Sequence, residues 1–131
     1  MRITIDRVLY PADSIVLVET PYGSLIARWA EAPVPNEGDF NVEIEISEPL
    51  KWGEDCAKSQ RKDPIMWVES ESNHIVGSIE SIDEGNLLSI RAGAGLFMVE
   101  IDELPPGEVS VGDGILVTAD KDALVLYPYQ L

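Results

Sequence analysis

The chain is 131 residues long with 45% hydrophobic residues, which fits one globular unit with a core and argues against wholesale disorder. It carries 24 acidic against nine basic side chains, a formal charge of −15. That charge opposes any phosphate backbone or anionic lipid surface, so nucleic acid and membrane are poor partners.

The N-terminus, Met1-Arg2-Ile3-Thr4-Ile5-Asp6, has no apolar core of a secretory signal, and no apolar run nears the ~20 residues that span a bilayer. The expectation is a cytoplasmic protein. Its one cysteine, Cys56, and one histidine, His74, leave no disulfide and no Cys/His zinc site within a single chain.

In chain order, Arg2–Leu9 alternates apolar and polar residues and predicts a half-buried strand. Tyr10-Pro11-Ala12-Asp13 predicts a turn, and Ser14–Thr20 and Leu25–Ala30 predict strands around Pro21–Ser24. Glu31–Gly38, with Pro33 and Pro35, reads as a loop. Asn41–Ser47 is the clearest strand. Val42, Ile44 and Ile46 share one face, and Glu43 and Glu45 form an acidic stripe on the other.

The β pattern stops over Glu48–Pro64, which holds Lys51, Lys58, Arg61 and Lys62, four of the nine basic residues. Glu54–Lys62 can form a short helix between Gly53 and Asp63-Pro64. Trp52 in this stretch is either a core anchor or a contact residue.

Strand character resumes at Ile65–Glu69 and His74–Ile82, the latter with a bulge or bend expected at Gly77. Leu87–Ala92 and Leu96–Ile101 predict a hairpin about Gly93-Ala94-Gly95, and Asp102–Gly112 a loop. Ile115–Ala119 and Ala123–Tyr127 predict a last hairpin, with Pro128 ending the ladder.

Ser14–Asp39 and Leu87–Asp113 share a layout: strand, turn with glycine, strand, proline-bearing loop, then Gly-Asp. The whole reads as an all-β protein of about ten short, mostly antiparallel strands in two similar units. These are tandem barrel-like sheets or one pseudo-symmetric sandwich, with a short helix possible in the linker. Residues 1–47 form the first unit, 48–64 the linker and 65–131 the second, within one compact domain. The turn order and apolar spacing of the second unit resemble those of small five-stranded barrels of the OB and TOBE kind. The resemblance carries no site.

Catalytic patterns are lacking. His74 has no paired nucleophile, and Gly93-Ala94-Gly95 leads into a strand rather than the helix a phosphate loop needs. With 24 acids, chance carboxylate pairs carry no information on glycosidase chemistry, and Asp120-Lys121-Asp122 is no EF-hand. No cofactor or metal is expected, beyond a weak surface cation site.

The resulting expectation is a non-enzymatic acidic binding protein. Its most concrete form is an inhibitor or immunity-like protein, as bacteria make, that masks a basic protein partner such as a nuclease toxin. Glu43, Glu45, Glu100, Asp102 and Glu103 would meet the partner's basic site, with Trp52 or a tyrosine as apolar anchor. Alternatives are a small-ligand or oxyanion-binding β-barrel module, a structural subunit of an assembly, or an acidity that serves solubility or a halophilic source alone.

Overall fold

A computed structural model describes residues 1–129. It is all-β, with one short 3-10 turn at Pro11–Asp13. The strands are β1 (Arg2–Tyr10), β2 (Ile15–Thr20), β3 (Gly23–Trp29), β4 (Gly38–Ile46), β5 (Leu50–Lys51), β6 (Cys56–Ser59), β7 (Ile65–Glu69), β8 (Ser72–Asp83), β9 (Leu87–Ala92), β10 (Gly95–Asp102), β11 (Gly114–Asp120) and β12 (Leu124–Tyr129). Among the described residues no helix is long and apolar enough to cross a membrane.

Five strands close into a barrel. β1, β2 and β3 form an antiparallel meander, β4 returns to pair with β1, and β12 lies between β4 and β3. β12 is antiparallel to β4 and parallel to β3, where Val125 faces Arg28 and Leu126 faces Trp29. Both ends of the chain therefore build this ring. Closure removes the exposed edges that an open sheet would carry.

The remaining strands extend the sheet beyond this ring. β8, β9 and β10 form a second meander, and β11 returns to pair with β8. β5 runs parallel to the end of β10, and β6 runs antiparallel to β11. β7 pairs with β8 and meets β3 at a single position, Gly23 opposite Met66. A methyl on Gly23 would overlap the Met66 carbonyl oxygen, so only glycine permits that approach.

The buried side chains form one cluster that runs through both groups of strands, from Ile3, Val16 and Leu25 to Ile79, Leu88, Ile90 and Ile115. Alternation explains it. In β4 and β10 every second residue is buried (Val42, Ile44, Ile46; Phe97, Val99, Ile101) while the intervening residues face outward.

Two polar contacts fasten the groups to each other. Asn73, at the start of β8, is fully buried. Its Nδ2 donates to the Ile26 carbonyl at 2.6 Å and to the Ala119 carbonyl at 3.1 Å, and its Oδ1 accepts from the Ile26 amide at 2.7 Å. One side chain thus takes the place of a missing ladder between β3 and β11. Across the molecule, the Tyr22 hydroxyl accepts from the Ala94 amide at 2.8 Å. Gly93 beneath it has φ +61°, and a methyl there would overlap the Tyr22 ring.

Three expectations need correction. The helix over Glu54–Lys62 does not form: Cys56–Ser59 is strand β6, in register from Cys56 opposite Val117 to Ser59 opposite Gly114. A segment this short is marginal as an isolated helix, and the free edge of β11 offers it a ladder that also buries Cys56. Asp55 shapes the preceding turn, its carboxylate accepting from the Lys51 amide at 3.0 Å.

Pro128 does not end the last ladder either, since Pro128 stands opposite Val42 and Tyr129 opposite Asn41. The Val42 amide and carbonyl are engaged by Met1, so the position facing Pro128 needs no donor from it. The bend sought at Gly77 is displaced as well: the register shift in β8 falls between Ile79 and Ser81.

Candidate functional site

The outward faces of β12, β4, β10 and β9 form a continuous surface. On β4 it shows Glu43 and Glu45; on β12, Tyr127, which stands opposite Glu43. On β10 it shows Leu96, Met98, Glu100 and Asp102, each exposed. β4 and β10 lie side by side, yet among the described residues no ladder joins them. A depression of about 670 Å³ follows this seam, and Glu43, Glu45, Glu100, Leu96, Met98 and Tyr127 are among the residues that line it.

Two properties set this surface apart. It is apolar: Leu96 and Met98 are each 47% exposed and Tyr127 41%. Large hydrophobic side chains are normally scattered on a soluble surface, so three around one hollow form a patch. It is also negative. None of the ion pairs among the described residues uses Glu43, Glu45 or Glu100.

Arg91 on β9, opposite Leu96, is engaged by a forked contact with Glu80 at 3.1 Å, and Arg28 on β3 lies near the Tyr127 hydroxyl. The Met1 ammonium donates to the Val42 carbonyl at 2.9 Å, and burial lowers its pKa while the nearby Glu43 opposes that shift. The Glu45 carboxylate beside the Tyr127 hydroxyl raises the phenol pKa and keeps its proton in place.

Three of the residues expected to bind a partner therefore converge: Glu43, Glu45 and Glu100. Asp102 shares their side of β10 but stands at its far end, opposite Lys51 of β5. Glu103 lies beyond the strand in a turn with φ +60°. Trp52 does not join them. It is half-buried against the core, and its backbone amide donates to the Asp102 carbonyl at 3.1 Å, so it anchors the linker to the end of β10.

Tyr127 is one of the tyrosines open to the anchor role, whereas Leu96 and Met98 were not anticipated as site residues. Their alternation with Phe97, Val99 and Ile101 is visible in the sequence, but both faces of β10 are apolar there. Only pairing decides which face turns outward.

Elsewhere the geometry offers less chemistry. Cys56 is buried, and desolvation, aided by Asp55, pushes its thiol up to about 11. The His74 ring stacks on Trp67 with centroids 4.9 Å apart, and its Nδ1 lies 3.2 Å from the Thr118 hydroxyl. A hollow of about 280 Å³ between Trp29, Phe40, Pro33, Pro35 and Tyr129 is walled by rings, with Trp29 and Phe40 edge to face at 5.1 Å. Among the described residues no three His, Cys, Asp or Glu side chains converge to hold a metal ion. No protein-family model, no curated protein and no solved structure matches the chain.

Proposed function

We propose that this protein binds a basic protein partner through the seam between β4 and β10, and masks that partner's cationic surface. One observation supports the reading above the others: Glu43, Glu45 and Glu100, from distant parts of the chain, share one hollow with the exposed Leu96, Met98 and Tyr127. Hot spots of protein interfaces join an apolar centre to charged neighbours in this manner.

The net charge of −15 extends the same field over the molecule and steers a basic partner toward it. An inhibitor or immunity-like role against a toxin is one form of this activity, and it requires no catalytic group of its own.

The test is capture of partners by the whole protein at about 50 mM and about 500 mM salt, a range over which screening removes long-range attraction. The expected result is one basic protein, retained at low salt and released at high salt. Replacing Glu43, Glu45 and Glu100 by Gln should weaken its binding by about tenfold to a hundredfold, mainly through the association rate. Recovery unaffected by salt and by all three replacements would reject this surface.

A further inference from the structure

At one end of the barrel, β3 and β12 finish side by side and β4 begins. The parallel pairing sets Leu126 opposite Trp29, and the antiparallel pairing sets Pro128 opposite Val42. The loop over residues 30–37 leaves β3 and returns to β4 at this same end. Three inner faces therefore terminate together. Trp29 follows Leu25 and Ala27 on β3, Phe40 precedes Val42 on β4, and Pro128 follows Leu124 and Leu126 on β12.

These three residues line the hollow of about 280 Å³, which shares no residue with the hollow along the seam of β4 and β10. Barrel mouths are common ligand sites, and this one lies just below the roughly 300–1,000 Å³ of sites for drug-sized molecules. Its size suits a single head group.

Three rings line it. Trp29 and Phe40 stand at 71° to each other with centroids 5.1 Å apart, so they form two walls of a corner. Tyr129, 38% exposed, is the third, and its hydroxyl lies 3.4 Å from the Met1 ammonium. Pro33, Pro35 and Pro128 add apolar surface without an N–H to offer a ligand. Glu31 is the one charged side chain in the lining, and among the described residues it makes no ion pair.

This lining selects its ligand. The faces of aromatic rings carry negative potential and attract a cation. The Glu31 carboxylate and the net charge of −15 add to that attraction and oppose an anion. An ordinary lysine ammonium is strongly hydrated and needs acceptors for three donors, which rings and prolines do not supply. A quaternary ammonium has no N–H to satisfy and needs only ring faces and a negative charge nearby.

We propose that the barrel mouth binds a quaternary ammonium group, its methyls against Trp29, Phe40 and Tyr129 and its charge balanced by Glu31. The site uses none of the residues of the basic-partner reading and stands or falls apart from it.

The probes are choline and its uncharged isostere 3,3-dimethylbutan-1-ol, titrated into the whole isotope-labelled protein at fixed ionic strength and followed by NMR. Choline should shift the Trp29 indole N–H and the Phe40 and Tyr129 ring signals saturably, with a Kd of about 10 mM or below. Its own methyl resonance should move upfield as ring faces cover it. The isostere should bind about tenfold more weakly. Glu31→Gln should weaken choline about threefold. Tyr129→Leu should weaken it about tenfold, and Tyr129→Phe should leave it unchanged. Both positions are exposed, so these variants keep the fold.

A peptide carrying one trimethyl-lysine, beside its unmethylated twin, separates the two sources of such a group. Tighter binding of the methylated peptide than of choline assigns the group to a protein, and the reverse assigns it to a free molecule; both support the site. Equal binding of choline and its isostere, or of the two peptides, would overturn the proposal. So would choline shifts centred on Glu43 and Tyr127, or no saturable shift at about 50 mM choline.

Discussion

Asn73 shows how much one side chain can decide. Among the described residues it is the one polar residue that is fully buried, and it satisfies a backbone amide and two carbonyls on strands that do not pair with each other. Replacing Asn73 with Ala should leave these groups unpaired in the core and cost about 3 kcal/mol, read as a lower urea midpoint at unchanged slope. A loss under about 0.5 kcal/mol would show that the clasp is dispensable.

Cys56 gives a second test at this scale. With its thiol held to about 11 by burial, it stays protonated at pH 8, and alkylation of the folded protein should be far slower than in urea. Equal rates would mean that β6 opens readily from β11. Neither role is legible in the sequence, where Asn73 lies in a polar turn and Cys56 beside charged residues. Both depend on strands brought in from elsewhere.

At the scale of elements, local pattern was a good guide wherever a strand shows alternation. Ile65–Glu69 and Leu87–Ala92 fall where period-two patterning places them, and the hairpin about Gly93-Ala94 follows from its glycines. Pattern fails at β6, because four residues with one buried side chain have no period to read; the edge of β11 makes them a strand.

β12 is a related case. Its strand character is plain, yet its neighbours are β4 and β3, more than seventy residues earlier in the chain. Leu126 is fully buried between them. Leu126→Ala should cost about 3 kcal/mol. In native-state hydrogen exchange it should also speed the amides of Ala30 and Ser47, which donate to the Leu126 and Ala123 carbonyls. Faster exchange confined to β12 itself would show that the barrel does not depend on it for closure.

At the scale of the whole molecule, charge and topology act together. The formal charge of −15 repels itself in the compact state. Raising sodium chloride from about 10 mM to about 500 mM, where screening shortens to a few ångströms, should therefore raise the melting temperature. A fall would show that the few ion pairs, such as Arg91 with Glu80, outweigh the repulsion.

The same field favours a basic partner, but composition cannot say where one would land. Twenty-four acids are spread over the chain, and three of them meet in the hollow along the seam of β4 and β10. Glu43 and Glu45 stand out in the sequence because alternation aligns them on one face. Glu100 joins them only because β10 passes beside β4, a contact between segments about fifty residues apart.

By itself, then, the sequence determined the all-β class, most strand positions and the strong negative charge. These are local quantities, set by alternation, turn residues and composition. Only the tertiary structure decided that β12 closes a barrel begun by β1, that residues 56–59 form a strand, and that Trp52 is an anchor. It alone brought Glu43, Glu45 and Glu100 to one hollow. Pairing and burial are relations between distant segments, and no local periodicity encodes which edge will meet which.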